Sequence, residues 1–514
     1  MRILLVIVSS LISFLTWGQI VKEGMPLAWS VGDVLNASNI WKELPEHNLL
    51  DLLAEDAIDQ ANKVLPYRFA IASNVNYTPS NSGRWTNLSN GDRVWMLGLE
   101  SSFAFSLNVI FGEFEIPQGG KVYIYSEDRT DFVGPLTSEN NRNSGSLISL
   151  PLEGNRVIVE YYEPFEFRGI GTLAITKVAQ GYKALEEPNR SEVSCITPLT
   201  EVNEKIRHAR SSTLLMLVDD GQRVCTGGLL NNTQSNGNPL FVTSSNALMG
   251  DPGDWVFVFG LNANQCTNND VTCWDRAIAG AEVLEVDGDN GLALLGIFQK
   301  PETSWGVYFA GWNVQEPSEG YYYCIQNAFG LSQTYSSSYS NPQVEDWGGL
   351  QVAEVAQWEV GNTFVGSLGA PLYNASGDFV GALIGGLSDC DGNGSDYFGL
   401  LKTSWDKFAP FLNPTRSGRD ESVGFFPVFT DKNDLQKQED EFFVFPNPAD
   451  DYIYIQNESE EEIQLIRFTD AAGRVIAFNN PQVPTISVSN FPSGIYEMTI
   501  LTNTSLNTQR IIVR

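Results

Sequence analysis

The sequence predicts an all-β chain built of sandwiches and barrels. Helical periodicity is scarce, and short runs of Val, Ile, Phe and Tyr alternate with clusters of Gly, Asn, Ser and Asp. At 514 residues the chain exceeds one core and divides into about three units of roughly 100–200 residues. One stretch departs from the β pattern. From Trp41 to Ala61 the residues Leu49, Leu50, Leu52, Leu53 and Ala57 fall on one apolar helical face.

Met1-Arg2 followed by an apolar stretch to Trp17 and the small Gly18 has the form of a cleaved export signal over residues 1–18. That stretch is shorter than the ~20 apolar residues a bilayer core requires, and no second candidate follows, so no transmembrane anchor is expected after signal removal. A formal charge of −31 repels phosphate backbones and anionic lipid, which argues against nucleic acid as a partner. The six cysteines lie between Cys195 and Cys390. In an exported chain they read as disulfides, because the extracytoplasmic space is oxidising. Cys266 and Cys273 are spaced to clip one loop. With only His47 and His208 to complete a site, no metal is expected, and no cofactor motif occurs.

Strands are expected at Phe103–Phe111, Lys121–Tyr125 and Arg156–Tyr162, separated by Pro117-Gln118-Gly119-Gly120 and Asn140-Asn141-Arg142-Asn143 turn chemistry. This places a β-sandwich at about 67–190, after an N-terminal segment 19–66. A second unit encloses the cysteines over 195–414. The polar, charged stretch 415–441 reads as a linker. Strand patterning then resumes at Tyr452–Ile455, Ile463–Phe468, Ile486–Val488, Tyr496–Leu501 and Arg510–Val513, consistent with a small C-terminal β-sandwich over 442–514.

That last unit resembles the C-terminal sorting domain of the type IX secretion system of Bacteroidetes-type bacteria. The resemblance rests on Val444-Phe445-Pro446-Asn447-Pro448-Ala449-Asp450-Asp451, Phe468-Thr469-Asp470-Ala471-Ala472-Gly473-Arg474-Val475, Phe491-Pro492-Ser493-Gly494-Ile495-Tyr496 and the closing Arg510 and Arg514. It implies engagement of the type IX machinery through 442–514, passage through the periplasm, and release or attachment at the outer-membrane surface. The central unit resembles trypsin-like serine endopeptidases of the lysyl endopeptidase kind. The residues concerned are Cys225-Thr226-Gly227-Gly228-Leu229-Leu230, Leu292-Ala293-Leu294-Leu295, Gly366-Ser367-Leu368-Gly369-Ala370-Pro371, Val380-Gly381-Ala382-Leu383-Ile384-Gly385-Gly386 and Ser395-Asp396-Tyr397-Phe398-Gly399. A trypsin-like double β-barrel is the fold this implies. The preceding sandwich is similar to the region before the protease in such precursors, at Trp95, Gly134-Pro135-Leu136-Thr137 and Glu160-Tyr161-Tyr162-Glu163-Pro164.

Serine-protease chemistry needs a hydroxyl nucleophile, an imidazole that takes and returns its proton, and a carboxylate that holds the imidazole's tautomer. The resemblance sets these at Leu368, Asn246 and Gly291, none of which carries the required group, with Asp289 two residues from the last. Both histidines lie at or before position 208, so no barrel strand supplies an imidazole, and His208 reads as a packing or surface residue. The reading is an exported, catalytically inactive protease homologue. The alternatives are an active endopeptidase cleaving after lysine with a rearranged triad, a Ser367 nucleophile with a lysine base, or a carboxylate site at Asp389, Asp391 and Asp396. The run from Asp389 to Asp396 resembles half a calcium loop, but Leu400 stands where an EF-hand needs Glu, so a turn is expected. The resemblance further implies that Asp396 lines a pocket for a lysine ammonium, making lysine-containing peptides or proteins a candidate partner. It also sets Trp347 beside the cleft, bridges Cys195 to Cys390, and leaves Cys225 and Cys324 as the remaining candidate pair.

Overall fold

The computed structural model describes residues 19–20, 22, 24–30, 40–142, 144–185, 195–197, 199, 204–261, 274, 276–315, 320–339 and 342–427. In the tail it describes 442–457, 463–470, 475–479, 485–502 and 506–514. The chain divides into two compact units, 1–427 and 428–514.

The N-terminal part of the first unit is a sandwich. One sheet runs Leu147–Ile148, Ser106–Glu115, Thr172–Gly181, Ala70–Tyr77, and the other Trp41–Glu43, Arg93–Glu100, Arg156–Glu163, Lys121–Ser126, Phe132–Leu136. The strand Arg93–Glu100 shows no polar alternation because both of its faces are covered. Trp95, Leu97 and Leu99 enter the sandwich core, while Val94 and Met96 pack under Ala28 and Ile40 from the N-terminal segment.

Expectation and structure differ over 41–61. Trp41–Glu43 is a strand parallel to Arg93–Glu100, and the helix spans only Leu49–Asp59, capped by the Asn48 side chain. Leu50, Leu53 and Ile58 are exposed, so the expected apolar face is not what docks; the buried residues are Leu52 and Asp56. Asp56 is held by Arg68 Nε at 2.7 Å, Lys183 Nζ at 2.5 Å and the Tyr182 hydroxyl at 2.6 Å. Burial alone would raise its carboxyl, but the bonds from Lys183, Tyr182 and Arg68 outweigh it and hold the group below the ordinary value of 3.8. A depressed folded-state value contributes stability that is complete above 3.8 and is lost as pH falls through the folded value. Urea midpoints should therefore decline as pH falls below that point. Asp56→Asn should flatten the decline and cost about 3 kcal/mol at neutral pH, because it leaves buried cations unpaired.

The first barrel is antiparallel, in the order Ala277–Ala279, Val256–Val258, Thr213–Val218, Arg223–Leu230, Leu240–Ser244, Leu292–Ile297, Ala281–Asp287. Gln19–Ile20 pairs on the outer side of Ala277–Ala279, and Ala277–Ala279 and Ala281–Asp287 are one passage of chain bent at Gly280, whose φ of 90° suits a corner. In Thr213–Val218 every residue is buried. Leu214, Met216 and Val218 fill the barrel, whereas Leu215 and Leu217 join the core shared with the sandwich. The second barrel orders Thr334–Ser338, Tyr322–Gln326, Pro371–Asn374, Phe379–Gly386, Asp396–Leu400, Leu350–Val355, Gln343–Trp347, and the helix Leu401–Leu412 follows. The stretch expected as a linker from 415 belongs to the barrels as far as Pro427. Glu421–Ser422 pairs with Trp312–Asn313, and Phe425 is buried in the first barrel's core. The remaining 428–441 lie outside the described residues.

Cys195 and Cys390 form a disulfide with Cα atoms 5.5 Å apart. Cys266 and Cys273 lie outside the described residues. The candidate pair Cys225–Cys324 is not formed, and both thiols are free and buried. Each sits in a different apolar cluster, Cys225 in the first barrel and Cys324 in the second, so elimination among six cysteines joined two residues that face separate cores. Burial raises both thiols well above their ordinary value, which suits inert packing groups.

The second unit has sheets ordered Phe442–Phe445, Tyr452–Asn457, Thr485–Ser487 and Val475–Asn479, Ile463–Asp470, Gly494–Thr502, Leu506–Val513. Ile453, Phe468, Met498, Ile500 and Ile511 are among its core residues.

Candidate functional site

Asp396 opens the strand Asp396–Leu400 and is fully buried. Its Oδ2 accepts from Trp358 Nε1, Thr363 Oγ1 and Ser388 Oγ, each at 2.7 Å. Neutral donors alone do not compensate a buried carboxylate, which needs a cation. The cation here is Lys63, on the chain between the helix and the first barrel. Its Nζ lies 3.2 Å from Asp396 Oδ1, 2.9 Å from Thr363 Oγ1, and 2.8 and 2.9 Å from the carbonyl and hydroxyl of Ser388. Burial pulls the Lys63 ammonium below the ordinary lysine value, and Asp396 opposes that shift.

Two glycines make room for this insertion. A Cβ at Gly386 would stand 2.1 Å from Asp396 Oδ1, and one at Gly385 would meet Val64 Cγ1 at 2.6 Å and the Trp347 ring at 2.9 Å. Gly386 N donates to the Asn62 carbonyl at 2.9 Å. Trp347 stacks on Tyr397 with ring centroids 4.7 Å apart and walls the same side. Thr363, Ser388, Trp358 and Lys63 were not expected from the sequence. The first three are polar or aromatic residues of ordinary loops, and Lys63 lies 333 positions from its partner.

The three positions set by resemblance lie on neighbouring segments elsewhere on the barrels. Asn246 is exposed on a short 3-10 turn. The preceding residue donates to Gly291, with Ser245 N 2.9 Å from the Gly291 carbonyl. Gly291 has φ 74°, and a Cβ there would stand 2.8 Å from Ile384 Cγ2. Leu368 is fully buried in the first barrel's core with Cys225, Phe241 and Ala247, and its carbonyl accepts from Thr226 N at 2.8 Å. The next residue, Gly369, passes so close to Thr243 that a Cβ would stand 2.0 Å from its Oγ1. Ser367 is fully buried as well; its Oγ accepts from Phe364 N at 3.1 Å, and its amide donates to the Phe364 carbonyl at 3.0 Å.

The other candidates are dispersed. Asp289 is exposed on its turn, and the neighbouring Asp287 binds Lys407 at 2.7 Å. Asp389 and Asp391 are exposed, and Asp389 accepts from the amides of Asp391 and Asn393 in a turn. His208 stacks on Tyr308 and meets Phe426 edge-on, and His47 bonds Ser73. Of the barrel's basic residues, Arg223 bonds Asp219 and the Pro66 carbonyl, Lys300 the Asn236 carbonyl, and Lys402 is exposed.

Residues 189–399 match the family described as lysyl endopeptidase, C-terminal domain. The middle of the chain is similar to that domain. Residues 443–514 match the secretion system C-terminal sorting domain, so the chain is exported across the periplasm to the medium or the cell surface through the type IX machinery. No helix among the described residues is long and apolar enough to cross a membrane. Solved structures similar to the chain include the HtrA-type protease AlgW bound to a tripeptide, at 10% identity over 60% of this chain and 95% of that one with a TM-score of 0.31. The MamO protease domain from Magnetospirillum magneticum is similar at 13% identity over 39% and 98%, with a TM-score of 0.28. The strand order of the two barrels, rather than these superpositions, carries the fold.

Proposed function

We propose that this exported lysyl endopeptidase homologue binds lysine side chains through Asp396 and does not cut peptide bonds. The observation that carries the reading is Leu368. At the position where the family holds its nucleophile stands an apolar side chain packed in the first barrel's core, and the adjacent Ser367 hydroxyl is buried and already bonded to Phe364 N. Asn246 offers an amide with no useful basic nitrogen, Gly291 offers no carboxylate, and no histidine follows position 208. The pocket supports the binding half of the reading, since a buried carboxylate ringed by neutral donors selects an ammonium. The purified protein, incubated with a lysyl-peptide substrate and a serine-directed phosphonate, should show neither turnover nor label. Stoichiometric labelling with turnover abolished by Ser367→Ala would establish the active-endopeptidase reading instead.

A further inference from the structure

Four acceptors of the Asp396 pocket are turned toward one occupant, and that occupant belongs to this chain. Lys63 Nζ has three hydrogens and four acceptors at 2.8–3.2 Å, so the ammonium is fully satisfied although the residue is buried. The segment is held on both sides. Before it, the helix Leu49–Asp59 is fixed through Asp56 to Arg68 and Lys183. After it, Arg223 Nη1 bonds the Pro66 carbonyl at 3.1 Å, and Tyr67–Arg68 pairs with the barrel strand Arg223–Leu230. Lys63 itself sits at φ 57°, left-handed backbone that a residue with a Cβ adopts only where its surroundings compel it. Its amide points back to the Gln60 carbonyl at 3.5 Å, so the chain enters the pocket as a tight turn and not as an extended strand.

We propose that Lys63 is a tethered ligand that closes the Asp396 pocket in cis, and that displacing or severing the segment around it opens a receptor for the lysine side chain of another protein. This rests on the reading of the pocket as a lysine site. A side chain anchored on both flanks competes at an effective concentration of about millimolar or above, so a free lysyl ligand of ordinary weak affinity gains no access while the segment is in place. The exported protein is thus silent as assembled, and a protease that cuts between Asn48 and Pro66 would be its activator.

The experiment uses the full chain and two probes, Nα-acetyl-lysine methylamide and n-butylammonium, followed by calorimetry and thermal shift. Lys63→Gly suits the left-handed backbone and vacates the pocket. It should bind both probes saturably, at least tenfold more tightly than the unaltered chain. The norleucine analogue should not bind, and Lys63→Gly combined with Asp396→Asn should lose the response. Equal binding to Lys63→Gly and the unaltered chain overturns the closure while leaving the lysine site intact. A folded Lys63→Gly that binds neither probe overturns the lysine site, and the closure with it. A second measurement needs no variant. Under brief amine acetylation of the native protein, Lys63 should stay unmodified while the exposed Lys42 and Lys402 react, and acetylation of Lys63 at the rate of Lys402 overturns the closure whatever the variants do.

Discussion

Leu368→Ser should leave the protein unable to hydrolyse lysyl bonds and lower its unfolding free energy by about 3–5 kcal/mol, read as a fall in urea midpoint with an unchanged slope. Truncating a buried leucine costs about 2–5 kcal/mol through lost burial and the cavity left behind. The new hydroxyl adds roughly 1–3 kcal/mol if it finds no partner, and the side chain it replaces is surrounded by Cys225, Phe241, Ala247 and Phe257. On the inactive reading proposed above, no catalysis is expected, because triad members act as a unit. Asn246 cannot accept and redeliver a proton. An aspartate at 291 would require its Cβ 2.8 Å from Ile384 Cγ2 on a backbone with φ 74°, so refilling that position forces Ile384 to shift and strains the backbone. Measurable lysyl hydrolysis by Leu368→Ser alone would show that a base reaches position 368 from outside the three places set by resemblance.

The strands were legible because burial on both faces writes an unbroken apolar run, as in Thr213–Val218, and because glycine and asparagine clusters mark the turns between them. Asp396 was singled out for a different reason, the local block Ser395-Asp396-Tyr397-Phe398-Gly399, and its partner in the structure is Lys63. The face of the helix Leu49–Asp59 was misread because its docking is decided by a carboxylate. Asp56 is buried among Arg68, Lys183 and Tyr182, and no hydrophobic pattern contains that. Cys225 and Cys324 were paired by elimination, which has no means of telling that the two thiols face the cores of different barrels. Lys63 escaped altogether. Nothing in Asn62-Lys63-Val64 marks it off from any exposed lysine, and its significance lies in a contact made across 333 residues.

That contact carries the second large effect. Lys63→Met and Asp396→Asn should each destabilise the folded chain by about 3–5 kcal/mol, since either leaves its partner as an uncompensated buried charge. Lys63 is 7% exposed and Asp396 0%, so water does little to screen the loss. The double variant should be no less stable than either single one, because removing both charges abolishes the desolvation cost together with the attraction. A methionine stem keeps the volume of the lysine chain, so the cycle reports on the charge pair and not on a cavity. The neutral donors Trp358 Nε1 and Thr363 Oγ1 would then face an asparagine side chain, whose carbonyl oxygen accepts from the indole as the carboxylate does. If the two losses simply add in urea denaturation, Lys63 and Asp396 contribute independently, and the buried pair is not what holds the N-terminal segment in the pocket.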